Sequence, residues 1–276
     1  MSETPIVPPA PVSPWGPAID PVAEPTAAPV ATAPSAGLRG LAWNVVSTLL
    51  LAGWISWQMG WFAGLALVFG VFVHEFGHVL VINAAGSGPS RIRIIPFFGG
   101  AATMARPPDT ELKGVVIAVA GPVFGLLATL PFFGLAAWTG DPAWRGAALV
   151  IAGFNLLNLA PAPPLDGSKA AGPVLAKIHP LLEKAALLAV GAFAVVWTLS
   201  RGSLLAPLFI GLSIFASLRV ARLRPEARPL SWSEWGVGLA VYAGAVGLCA
   251  GTLVLALGGG QINPQFFSLG SFGVQR

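Results

Sequence analysis

The sequence predicts an all-α polytopic membrane protein of six to seven transmembrane helices with a small membrane-associated β-hairpin. Three observations predict it. Of its 276 residues, 55% are hydrophobic and only 9% charged, where a soluble domain carries roughly 25% charged residues. Seven apolar segments are long enough, or nearly so, to cross a bilayer, at about 41–58, 61–84, 114–138, 147–163, 185–200, 203–218 and 235–258. The basic residues gather in the loops between these segments and favour one side of the membrane. That pattern reports topology and argues against nucleic-acid binding.

Taken in order, residues 1–38 hold ten prolines among Ala, Thr, Val and Ser. Such a composition buries too little apolar surface to fold, so a disordered cytoplasmic tail is expected. No basic region opens the chain, and the first apolar run starts only near Leu41. That run reads as a retained helix and not as a signal peptide. Residues 39–230 form the expected core, and 231–276 an additional C-terminal helix with a short tail. The fourth, fifth and sixth segments are short, and the last two of these could instead form a re-entrant pair.

With seven spans, twelve Lys and Arg fall on the side of the N-terminus, from Arg39 to Arg228. Three, Arg145, Arg201 and Arg276, fall opposite. The asymmetry predicts a cytoplasmic N-terminus. Trp57, Trp61, Trp138, Trp144 and Trp197 then lie near the outer interface, as an aromatic belt does. Gly60/Gly64 and Gly121/Gly125 have the spacing that lets helices approach closely. Cys249, the single cysteine, reads as a small buried hydrophobe. In the loop 85–113, Arg91-Ile92-Arg93-Ile94-Ile95 alternates as a strand does, and Gly99-Gly100 permits a tight turn. This predicts the hairpin, whose free edge could pair with an extended peptide; the plainer alternative is an ordinary basic loop.

The second segment carries His74-Glu75-Phe76-Gly77-His78, an H-E-x-x-H motif. Residues four apart share a helix face, so both histidines can reach one metal ion, with Glu75 beside them to act on a metal-activated water. Ionisable residues at membrane depth are costly and signal function. A catalytic zinc takes three protein ligands. His179 sits in a loop beside Pro180 among residues that read as solvated, which makes it a poor third. Asp166 follows the fourth segment in Asn158-Leu159-Ala160-Pro161-Ala162-Pro163-Pro164-Leu165-Asp166-Gly167. Its prolines break the helix, and irregular backbone at membrane depth must be packed in protein or line a wet cavity. From position alone, Asp166 either faces that cavity or caps a helix at the interface. Asn158 either bonds the substrate's oxyanion or backbone or joins two helices, with Asn155 the weaker alternative.

Together these residues resemble the site-2 protease family of intramembrane zinc metalloproteases, which pairs H-E-x-x-H with a later N-x-x-P-x-P-x-L-D-G type sequence. Asn158, Pro161, Pro163, Leu165, Asp166 and Gly167 fall in place, and Ala120-Gly121-Pro122 looks like the family's A-G-P element. The resemblance covers about residues 61–170. Ser168 stands where a second glycine is frequent, and Gly125 where an asparagine often follows the G-P pair. The resemblance implies one zinc per chain, held by His74, His78 and Asp166. It implies Glu75 as general base, and a membrane-protein substrate cut in or near its transmembrane helix. Two rival readings are a metal-ion transporter and a proteolytically silent relative that binds membrane helices. Arg outnumbers Lys, and Ala and Gly abound, which suits a GC-rich prokaryotic genome and hence a cytoplasmic-membrane location.

Overall fold

The computed structural model describes residues 60–95, 99–162, 165–200 and 227–258, with scattered positions in 42–57 and 211–218. The expected tail 1–38, most of the segments 41–58 and 203–218, and the C-terminal tail lie outside the described residues.

Among the described residues the chain is helical with one two-stranded antiparallel sheet. Helix α1 spans Trp61–Ala84. Strands β1 (Arg91–Ile95) and β2 (Gly99–Thr103) pair in register from Arg91 opposite Thr103 to Ile95 opposite Gly99, as the alternation predicts. The hairpin is tied to the end of α1. Ser87 O accepts from Ala105 N and Arg106 N, and Asn83 Oδ1 accepts from Ser90 N. β2 packs on α1.

Helix α2 (Glu111–Gly125) starts earlier than the apolar run because Thr110 caps it, accepting from Lys113 N at 3.2 Å. Just ahead of it Asp109 ion-pairs with Lys113, whose hydrogen bond holds that carboxyl below its ordinary value. A 3-10 turn over Leu126–Thr129 joins α2 to α3 (Leu130–Thr139). Pro131 explains the tightening, since it offers no N–H to the preceding turn and its ring crowds the carbonyl four residues back. Together Glu111–Thr139 is long and apolar enough to cross a membrane, as are α1 and two later helices.

Helix α4 (Pro142–Asn158) begins at an Asp-Pro start signal, with Asp141 accepting from Ala143 N at 2.8 Å. It therefore starts five residues before the predicted 147 and ends where the prolines begin. Helix α5 (Gly167–Ile178), absent from the sequence-based expectation, follows. Helix α6 (Pro180–Ser200) starts five residues before the predicted 185, with proline at its first position. Helix α7 (Trp232–Ala256) opens on a reciprocal Ser231–Glu234 capping box.

α1 packs against α2 and α4, and α7 lies against α4, α2 and α5. One apolar cluster gathers Ala66, Ala128, Ala147 and Ile151 around Phe62 and Phe132. The other joins Val115, Val119, Leu159, Ala245 and Cys249, so the cysteine is the buried hydrophobe expected of it. The backbone before α7 is strapped to the start of α2. Glu111 N donates to Arg228 O, Arg228 N to Asp109 O, and Leu230 N to the Glu111 carboxylate. α1, α2 and α4 enclose the polar residues that follow.

Candidate metal centre

α1 has two faces. Leu65, Phe69, Phe72, Phe76 and Leu80 are exposed along one side, as suits a lipid-facing stripe. On the other, Gly70, His74, Glu75, Gly77 and His78 are buried. Helix α2 can lie close against that side because it presents Gly121 there. A methyl group at Gly121 would overlap the Nε2 atoms of both His74 and His78. Gly77 has the same relation to Phe124 and the Ala120 carbonyl. The Ala120-Gly121-Pro122 element is therefore the wall of the site, which its place in the resemblance did not explain.

Asp166 arrives from the broken segment. Its backbone stands at the N-cap position of α5, yet its side chain makes no capping hydrogen bond. The carboxylate turns instead to the histidines, with Oδ2 3.1 Å from His74 Nε2 and 3.1 Å from His78 Nε2. The two Nε2 atoms are 3.2 Å apart. The side chain thus faces the two histidines and does not cap the helix. His179 is exposed in the turn between α5 and α6, where its Nδ1 accepts from Leu181 N.

The protonation of the cluster follows from its outer contacts. His78 Nδ1 lies 2.8 Å from the Ile117 carbonyl, which can only accept, so this nitrogen carries the proton. His74 Nδ1 lies 2.8 Å from Asn155 Oδ1. The Asn155 amide is oriented by its Nδ2, which donates to Ile151 O. With both imidazoles neutral, their unprotonated Nε2 atoms face a carboxylate oxygen. Three acceptors face each other, an arrangement that repels unless something positive lies between them. A proton on an Nε2 bridges that histidine to Asp166 but does not relieve two protonated Nε2 atoms facing each other, whereas a cation serves all three. The spacing agrees: zinc bonds of about 2.0–2.1 Å in a tetrahedron put ligand atoms roughly 3.3 Å apart. His74, His78 and Asp166 could therefore hold a metal ion, and the nitrogen and oxygen donors suit zinc.

Glu75 completes the cluster. It is buried, and its Oε2 is enclosed without a hydrogen-bond partner. A buried carboxylate oxygen left unpaired is costly, and here it lies next to the metal position.

Asn158 stands apart from these contacts. Its side chain is half-buried, and Nδ2 donates to Phe154 O on its own helix at 3.0 Å. The asparagine that touches the cluster is Asn155, fully buried one turn earlier. An amide in an apolar helix was the available signal, but two amides three residues apart point to similar faces. Only the packing of α4 on α1 separates them.

Residues 62–142 match the model of peptidase family M50. The match takes in H-E-x-x-H and the Gly121 wall and ends before Asp166. Among curated proteins, a Synechocystis protein named "Putative zinc metalloprotease sll0528" is 31% identical over 122 residues. That alignment covers 42% of this chain and 32% of the relative, so the match spans about a third of the relative's length. No solved structure matches the chain.

Proposed function

From the match of residues 62–142 to peptidase family M50 and the likeness to a relative named a putative zinc metalloprotease, we propose that the chain is a member of that family, the site-2 proteases, and an intramembrane zinc metalloendopeptidase. It hydrolyses a peptide bond in or near the transmembrane segment of another membrane protein. The observation that carries this reading is the convergence of three acceptor atoms from His74, His78 and Asp166, with the unpaired Glu75 Oε2 beside them.

Zinc, when bound by these three side chains, supplies Lewis acidity that makes water a nucleophile near neutral pH and polarises the scissile carbonyl. The chain's own groups do the rest. Glu75 Oε2 takes a proton from the attacking water and returns it to the nitrogen of the leaving amine. The Asp166 side chain keeps 14% of its surface exposed, against 2% for His74 and 8% for His78. In this reading water approaches from the side of the broken segment, where the exposure is greatest. Asn158, on the helix that leads into that segment, can turn its amide to the substrate backbone once its bond to Phe154 O is given up. A helical substrate hides its carbonyls and must unwind before it is cut. The β1–β2 hairpin, packed on α1, offers an edge to hold the extended strand. We place the protein in a prokaryotic cytoplasmic membrane on its Arg-, Ala- and Gly-rich composition, with its N-terminus in the cytoplasm on the basic-residue asymmetry.

The test reconstitutes the full chain in liposomes with a panel of single-span membrane proteins and reads cleavage by mass spectrometry. Wild type is expected to cut within or beside a span. Glu75→Gln is expected to retain zinc and lose cleavage, and retained cleavage would remove Glu75 as the base.

A further inference from the structure

Each imidazole that faces the metal position has a second nitrogen, and the fold gives each a different partner. His78 is held by a backbone carbonyl, Ile117 O, which no side-chain substitution removes. His74 is held by a side chain. Asn155 Oδ1 lies 2.8 Å from its Nδ1, and both residues are buried, Asn155 at 0% exposure. The amide has no equivalent alternative orientation. Flipping it would break the Nδ2 bond to Ile151 O and turn an oxygen toward that carbonyl.

The recess that admits this amide is made by another helix. A methyl group at Gly125 on α2 would overlap the amide of Asn155. The glycine thus leaves the room that the asparagine fills. The His74 ring also stands edge-on to Phe154, at 5.3 Å between centroids, and the Nδ1 bond adds a direction to that packing contact.

We propose that Asn155 is a positioning residue for the metal centre. It fixes His74 as the Nδ1–H tautomer, which leaves the Nε2 electron pair aimed at the metal position. An imidazole without such a partner offers either nitrogen and either tilt. Partners of this kind raise the basicity of a metal-ligating histidine and fix its orientation, and their loss weakens metal binding by about 10–100-fold. The proposal rests on the metallopeptidase reading above. A hydrogen bond that only joined α1 to α4 would affect folding and leave the metal's electronic environment untouched.

Cobalt(II) serves as the probe, because its visible absorption reports ligand geometry directly. It is titrated into metal-free full chain in detergent for wild type, Asn155→Leu and Asn155→Asp. Wild type is expected to bind about one ion. Asn155→Leu, which keeps the bulk and removes the acceptor, is expected to bind about 10–100-fold more weakly, with shifted bands. Asn155→Asp keeps an acceptor oxygen for His74 Nδ1, at the cost of an oxygen set against Ile151 O, and is expected to retain the ion. Asn155→Leu with wild-type affinity and spectrum would overturn the positioning role and leave the metal centre standing. So would Asn155→Asp losing the ion while folded, which matters if the leucine variant does not fold. A folded wild type that takes up no cobalt would overturn the centre and this proposal together.

Discussion

Helices α1 and α7 are nearly interchangeable by length and hydropathy. They have 24 and 25 residues, equal mean hydropathy, and each suffices to cross a membrane. Their faces are not alike. α1 buries one side against α2 and α4 and carries His74, Glu75 and His78 inward. α7 is exposed along most of its length and carries no ionisable group beyond its first turn apart from Tyr242 and Cys249. Its polar contacts go to backbone: Trp235 Nε1 donates to Val174 O, and Tyr242 Oη donates to Leu159 O. Leu159 lies where α4 gives way to the Pro-broken segment, so α7 satisfies a carbonyl that the broken helix leaves over. Hydropathy identifies a span, but the placement of a few polar side chains decides whether that span does chemistry or supports a neighbour.

Substitutions on the two helices should separate these roles. The largest effect is expected on α1, where Glu75→Gln should lower peptide cleavage by about 10²–10⁴-fold with zinc retained. Next comes the wall against α1. Gly121→Ala places a methyl group where both Nε2 atoms lie, and zinc affinity should fall by at least about 10-fold. Competition with a chelating dye measures it, and unchanged affinity would mean that α2 yields and Gly121 is not a fixed wall.

Effects on α7 should be smaller and should appear in stability. Ser231→Ala removes half of the capping box and should cost about 1 kcal/mol in reversible unfolding, with cleavage unaltered. Tyr242→Phe removes the bond to Leu159 O and should cost about 0.6 kcal/mol, in line with hydrogen bonds between membrane helices. Both variants should keep their zinc. Loss of zinc from Tyr242→Phe would break the contrast, since it would make α7 part of what holds the Asp166 segment in place.

Much of this was legible in the sequence, for reasons that particular residues show. The motif His74 to His78 fixes its own geometry through helix periodicity, and the alternation over 91–95 did the same for the hairpin. The broken segment after Asn158 follows from prolines alone. Helix α5 was missed because its buried face is built from Ala170, Ala171, Gly172, Pro173 and Val174. Small residues give no apolar periodicity, and a proline argues against a helix it does not here prevent. The early starts of α4 and α6 lay in capping signals, Asp141-Pro142 and His179-Pro180, which an apolar run does not include. The role of Asn155 depends on the packing of α4 against α1 and on the space above Gly125, and a single helix's sequence contains neither.

The most direct measurement of the central claim is zinc per chain in detergent-purified wild type beside Asp166→Ala. The account predicts about one zinc in wild type and much less in the variant, because two histidines alone leave a three-ligand catalytic site incomplete. A well-folded wild type without zinc, or a variant that keeps its full complement, would contradict it.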